Sequence, residues 1–432
     1  MTKKVGVAIL GLGVVGGGTY KTLVEHHDFY LKSQKVDLTV ETVLVRNKQK
    51  ALDLGIPESQ ISSNIAEVIA NPAVDIVIET IGGCGAAKEY VLAALGEGKS
   101  VVTANKELIC KHWHELERVA KRNGCGLYFE ASCVGGVPII RTLLDGVQSN
   151  EINYMMGIIN GTTNYILTKM TGEGAGYAET LKDAQALGYA EADPTNDVEG
   201  FDAVYKLAIL SSLAFHQKIT YEKIFREGIS GVSATDIAFG KSIGYTLKLL
   251  AIAKNTEQGL ELRVHPTFIK NSHPLASVND AFNAVYVNGD SVGDIMLYGR
   301  GAGAFPTASA VVSDVLYAAT HSEIKYATFK NSDEGAAEVN YVADFQSVYY
   351  LRLSVEDEIG VLQQVCGIFA KNGVSIVEVG QKGHYTGSDV KKPRVPLFIV
   401  TNKTSENKIM NAVKEINESG ITTTETVIRI EE

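Results

Sequence analysis

The chain has 432 residues, 45% of them hydrophobic and 21% charged. That composition excludes global disorder, and the length accommodates about two to four domains. The 40 basic and 50 acidic side chains give a net charge of −10, which excludes a general polyanion-binding surface and leaves room for a local phosphate site.

In chain order, Lys3 and Lys4 ahead of an apolar run imitate a secretory signal. Gly6, Gly11, Gly13 and Gly16 interrupt that run, and no A-x-A cleavage pattern follows, so we read it as structure. Residues 4–10 predict a buried parallel strand, followed at once by a glycine-rich turn and a helix to about residue 27. Strands are then expected at 38–45, 74–80, 100–103 and 127–130, alternating with helices at 65–70, 86–95 and 107–122. This alternation predicts an α/β Rossmann-type nucleotide-binding domain over residues 1–135. From Pro138 the texture changes. Helices at 139–147, 162–169, 178–187 and 198–213, with strands at 152–159, 262–269, 284–287 and 295–298, predict an α+β catalytic and dimerisation domain over 136–306. A helix at about 307–321 is expected to pack back onto the first domain. Residues 326–347 read as a linker. The βαββαβ order over 348–432 predicts a ferredoxin-like unit with a polar hairpin loop at 382–394. No apolar run reaches the ~18 residues of a membrane helix. Cys84, Cys110, Cys125, Cys133 and Cys366 match no C-x-x-C or zinc spacing, which points to a reduced, cytoplasmic compartment.

Gly11-x-Gly13-x-x-Gly16 lies between a strand and a helix. In that setting the first glycine permits the tight turn, the second lets backbone approach a pyrophosphate, and the third packs helix on strand. The helix N-terminus would meet the phosphates. Where an acidic residue would select NAD, this chain has Arg46, whose planar fork suits a 2′-phosphate. NADP is therefore expected, with NAD as a second substrate; a merely basic loop is the competing reading.

The stretch from Glu191 to Lys206 is unusually acidic, and Asp197 is positioned to cap the next helix. On that helix Asp202 and Lys206 are one turn apart among apolar residues. One reading is a salt bridge on a solvated face. The other is a general acid, Lys206, tuned by burial and by Asp202. Lys106 follows a strand at the carboxyl edge of the sheet, where it could hold a carboxylate or polarise a carbonyl, or be a surface lysine.

These residues together resemble the homoserine dehydrogenase family, in its longer form with a C-terminal ACT domain. The matching motifs are residues 11–16, Thr-Ala-Asn-Lys (103–106), Phe-Glu-Ala-Ser (129–132) with Gly-Gly-Val-Pro (135–138), Asn-Gly-Thr-Thr-Asn-Tyr-Ile (160–166), the 191–206 stretch and Gly-Arg-Gly-Ala-Gly (299–303). The resemblance implies reversible NAD(P)-dependent interconversion of L-aspartate 4-semialdehyde and L-homoserine, in threonine, methionine and isoleucine biosynthesis. It implies Lys206 as proton donor oriented by Asp202, with Lys106 between substrate and nicotinamide. It assigns Glu191 to the substrate ammonium with Asp197 in support, and Asn160, Gly161 and Thr162 to the substrate carboxylate. Gly11, Gly13, Val14, Val15, Gly16, Arg46, Lys106 and Gly303 fall on the cofactor side. A structural sodium ion is implied at Glu130, Cys133, Gly135 and Val137, through the peptide oxygen at Cys133. The ACT domain implies an amino-acid effector such as L-threonine, and the family a homodimer or homotetramer. The competing functions are another semialdehyde oxidoreductase, acting through a cysteine such as Cys84 or Cys133, and an amino-acid-sensing nucleotide-binding protein without turnover.

Overall fold

The computed structural model describes residues 2–321, 323–331, 337–381, 394–420 and 422–431. Residues 382–393 of the expected hairpin loop and 332–336 of the expected linker lie outside the described residues. The chain divides into two compact units. One comprises Met1–Gly161, Asp202–Ile224 and Ala281–Val339; the other comprises Thr162–Phe201, Phe225–Asp280 and Asn340–Glu432.

The first unit is built on β1 (Lys3–Leu10), β2 (Val36–Leu44), β3 (Ile61–Ser62), β4 (Ile76–Glu79), β5 (Ser100–Thr103) and β6 (Leu127–Tyr128). They form a parallel sheet in the order β3-β2-β1-β4-β5-β6. Apolar residues such as Val7, Ile9, Val77 and Ile78 run through its centre fully buried, as a sheet covered on both faces requires. The strand order reverses between β1 and β4, which creates a crevice at their carboxyl ends. The helix Ala304–Thr320 packs against the helix Val14–Glu25. Their contact is close: a Cβ on Gly18 would lie 2.6 Å from the Ala304 carbonyl oxygen. This unit also holds the antiparallel strands Ile152–Ile158, Phe282–Gly289 and Gly293–Arg300.

In the second unit Tyr245–Thr256 and Gly259–Lys270 form a long antiparallel pair. The C-terminal ferredoxin-like fold has strand order Thr422–Glu431, Gln346–Glu356, Arg394–Thr401, Ile376–Gln381. Helices Val361–Lys371 and Glu406–Glu418 close its core through Val365, Phe369, Ile409 and Ile416. Thr422–Glu431 also pairs in parallel with Gly259–Lys270, with Arg429 opposite Thr267. This strand therefore joins the long pair and the C-terminal strands into one sheet. Buried charges lock the seam: Arg429 pairs with Glu406, and Arg263 with Glu431.

Three local expectations are corrected. The helix expected at 198–213 is two helices, Thr195–Val198 and Phe201–Phe215. Gly200, at φ +80°, breaks it, so Asp197 lies inside the short helix, before the long one begins. The strand expected to reach Glu130 ends at Tyr128, and Glu130 opens a 3-10 turn. Tyr245–Thr256 escaped sequence reading because its run from Leu247 to Ala253 is buried on both faces, so no period-two signal exists. No described helix is long and apolar enough to cross a membrane, and all five cysteines are free thiols.

Candidate active site

The turn after β1 has the geometry its glycines predict. Gly11 sits at φ +93°, and a Cβ on Gly16 would lie 2.0 Å from the Gly11 carbonyl oxygen. Gly13 has open space where its Cβ would be, which leaves the start of the Val14–Glu25 helix accessible. Val14 is exposed there and Val15 half-buried. Beside the turn is a cavity of about 310 Å³ lined by Gly11, Gly13, Val45, Arg46, Lys50, Thr80 and Tyr90. Arg46 is exposed, while Lys48 is tied to Glu58. A guanidinium at the rim and an open helix N-terminus fit a phosphorylated dinucleotide. Gly303, at φ +112°, opens the helix Ala304–Thr320.

At the carboxyl ends of β4 and β5 the backbone is fixed by side chains. The buried Glu79 carboxylate accepts from the Thr103 hydroxyl and from the Ile81 and Gly82 N–H groups, at 2.7 and 3.0 Å. Asn105 caps the helix Lys106–Asn123 through the Leu108 N–H at 3.1 Å and holds the Gly83 carbonyl at 2.7 Å. Lys106 thereby begins a helix at the sheet edge.

The centre of the site is a carboxylate between two lysines. Asp202 meets Lys106 Nζ at 2.6 Å through Oδ1 and Lys206 Nζ at 2.7 Å through Oδ2. Asn160 Nδ2 donates to Oδ2 at 2.9 Å, and Lys206 donates to the Ile159 carbonyl at 2.8 Å. Burial alone would raise the Asp202 carboxyl, but the two ammonium groups outweigh it and hold it well below the usual carboxylate range. Lys206 is itself 9% exposed, so the solvated-face reading fails. The Lys106 side chain is 42% exposed yet ion-paired. An ammonium has three donors, and the contacts of Lys206 to Ile159 and Asp202 leave one for a ligand oxygen. Asn160 therefore contributes its side chain as well as its place in the turn before the helix Gly161–Glu173. The Asn160 contact and the Ile159 carbonyl had no signal in the sequence.

Thr162, Glu191 and Asp197 belong to the other compact unit. The Thr162 hydroxyl donates to the Tyr189 carbonyl at 2.7 Å. Glu191 is exposed, and Asp197 is half-buried in its short helix.

Glu130 lies in a second charged cluster of the first unit. Its carboxylate accepts the Ile140 and Arg141 N–H groups at 2.8 and 2.7 Å. Its own N–H donates to Asp314 at 2.8 Å, and Arg141 pairs with Asp314 at 2.8 Å. Burial and the neighbouring Asp314 push Glu130 up to about 7, and burial raises Asp314 to about 6. Asp314, the one charged residue on its helix, was the overlooked signal. Val134 and Gly135 follow in left-handed conformations, φ +56° and +51°, and the Val137 oxygen accepts the Ile139 N–H at 2.8 Å. A carboxylate and peptide oxygens in a cluster with surplus negative charge fit a small hard cation. No grouping of His, Cys, Asp and Glu side chains suited to a metal occurs among the described residues. The Cys133 thiol is fully buried and raised to about 12 by that burial, and burial also raises Cys84. Neither is an activated nucleophile.

Comparison with known proteins agrees with this geometry. The homoserine dehydrogenase model matches residues 138–316, its NAD-binding-domain model residues 11–130, and the ACT-domain model residues 349–418. The chain is 42% identical to homoserine dehydrogenase of Bacillus subtilis, covering 96% of this chain and 95% of that protein. It is 40% identical to the Pseudomonas aeruginosa enzyme, covering 95% of each. The crystal structure of a homoserine dehydrogenase from Thiobacillus denitrificans superposes with a TM-score of 0.91 at 38% identity, over 100% of this chain and 99% of that one. A hyperthermophilic archaeal homoserine dehydrogenase solved in complex with NADPH matches at 28% identity and TM-score 0.63, over 73% of this chain and 97% of that one.

Proposed function

The chain belongs to the homoserine dehydrogenase family, and from that premise we propose how its residues divide the work. The protein is an oxidoreductase acting on a CH–OH group, interconverting L-aspartate 4-semialdehyde and L-homoserine. The single observation that carries the mechanism is Asp202 held between Lys206 and Lys106. Bound nicotinamide supplies or accepts the hydride at the substrate carbonyl carbon. Lys206 delivers its remaining proton to the carbonyl oxygen as the alkoxide forms. Asp202 keeps Lys206 aimed, and Lys106 stabilises negative charge on the same oxygen. Asn160, Gly161 and Thr162 receive the substrate carboxylate at a helix start. Glu191 takes the ammonium, with Asp197 in support.

On the cofactor side Gly11, Gly13, Val14, Val15 and Gly16 cradle the pyrophosphate and Gly303 flanks it. Arg46 favours NADP over NAD; the exposure of its guanidinium beside the cavity supports this. Glu130, with peptide oxygens of Cys133, Gly135 and Val137, would hold a sodium ion of structural role. The ACT fold takes an amino-acid effector, L-threonine being the end product its reaction leads toward. The protein works as a homodimer or homotetramer in the cytoplasm, where its free thiols stay reduced. Residues 1–135, 136–306 and 348–432 are its functional divisions.

The test is NADPH oxidation with L-aspartate 4-semialdehyde, with and without L-threonine. Oxidation yielding homoserine, slowed by threonine, is expected. Cofactor binding without oxidation by a folded sample would instead favour the sensor reading.

A further inference from the structure

Arg226 is a half-buried guanidinium with no carboxylate partner among the described residues. An arginine so placed costs desolvation without an ion pair to offset it. Its contacts lie instead on the joint between the acidic segment and the helix that carries Asp202 and Lys206. Nη1 donates to the Glu199 carbonyl, and the guanidinium lies over the Phe201 ring, 3.7 Å from its centroid. Gly200, between those two residues, has the left-handed φ of +80° that turns the chain into the long helix, and a Cβ there would touch the Arg226 side chain at 3.5 Å.

The following residues complete the grip. Ile229 N–H donates to the Val198 carbonyl at 2.8 Å, and the Ser230 hydroxyl to the Glu199 carboxylate at 2.8 Å. A Cβ on Gly228 would fall 2.5 Å from the Val198 carbonyl oxygen, so only glycine admits this approach. The strip is anchored from behind. Phe225 and Arg226 pair with Arg263 and Val264. Glu227 N–H donates to the Val264 carbonyl at 2.8 Å, and the Glu227 carboxylate takes Arg429 of the last ACT strand.

We propose that Arg226 is a positioning residue of the reaction: it fixes the Glu199–Phe201 joint and so sets where the acidic substrate segment stands. Arg226 touches neither hydride nor proton. Its fork and flat face hold a carbonyl and a ring at once, which a lysine does only in part. The role rests on the reading that Glu191 and Asp197 hold the substrate.

The experiment measures KM for L-aspartate 4-semialdehyde, kcat and the Kd for NADPH in the full chain. Arg226→Met should raise KM about tenfold while kcat falls less than about threefold and NADPH binding is unchanged, a loss of ground-state binding. Arg226→Lys should recover part of that rise. Phe201→Leu, which removes only the stacking face, should raise KM by about threefold and serves if Arg226→Met does not fold. Unchanged KM in the folded variants, or parallel losses in KM, kcat and NADPH affinity, overturns the role. Glu191→Gln separates the two claims. An unchanged KM there refutes the assignment of Glu191, whereas the positioning role stands or falls on Arg226 and Phe201.

Discussion

Two buried charge clusters of the first unit differ in one respect that decides what each can do. Around Asp202, two lysines face one carboxylate, and the carboxyl is held well below its ordinary range. Around Glu130, two carboxylates share Arg141, and both are raised, to about 7 and about 6. In the first cluster Lys206 keeps one donor beyond its bonds to Ile159 and Asp202, and that donor suits an anionic oxygen. The second gathers two carboxylates with peptide oxygens beside them, a set that would suit a cation. The same residue type is pulled in opposite directions by the count of its neighbours, burial being common to both. We therefore propose chemistry for the first cluster and scaffolding for the second.

The contrast can be broken most forcefully at Lys206. Lys206→Ala should lower kcat by at least ~10²-fold, the scale of a lost general acid, with NADPH affinity kept; wild-type turnover would remove Lys206 from the mechanism. Asp202→Asn should cost roughly tenfold in kcat, because Lys206 loses the partner that aims it. It also has a stability signature. A carboxylate depressed in the folded state contributes stability that is fully present above its unfolded pKa, ~3.9, and is lost as pH falls through the lower folded value. The Tm gap between wild type and Asp202→Asn should therefore be constant near neutrality and narrow below about pH 4. Arg46→Ala should raise KM for NADP about tenfold, worth ~1.4 kcal/mol, and leave KM for NAD nearly unchanged; equal effects would refute the 2′-phosphate contact. The smallest effect is at the second cluster. Replacing sodium by choline should lower Tm by about 2–4 °C, the shift of a ~1 kcal/mol loss, and Glu130→Gln should abolish that response. A wild-type Tm indifferent to sodium would dismiss the cation.

What was legible in the sequence was local. The glycines at 11, 13 and 16 follow a strand directly, and Asp202 and Lys206 are one helical turn apart, so contiguous residues report both. The ACT unit was legible because its strands and helices alternate in plain order. Contacts made by distant segments were not. Nothing near Lys106 announces Asp202, and nothing near Arg141 announces Asp314. The break at Gly200 was hidden inside a helical pattern, where a glycine reads as a tolerated cost. The shared strand Thr422–Glu431 was invisible for a further reason: its parallel pairing with Gly259–Lys270 is a tertiary choice that no local period encodes.

The most direct test of the account compares Lys206→Met with Lys106→Met in rapid mixing, following NADPH absorbance on addition of L-aspartate 4-semialdehyde. Hydride transfer should slow by at least ~10²-fold in Lys206→Met, with substrate affinity nearly kept. In Lys106→Met transfer should also slow, but by less, because Lys106 stabilises charge on the same oxygen without giving it a proton. The reverse pattern, with Lys106→Met abolishing transfer and Lys206→Met only weakening binding, would contradict the account and make Lys106 the proton donor.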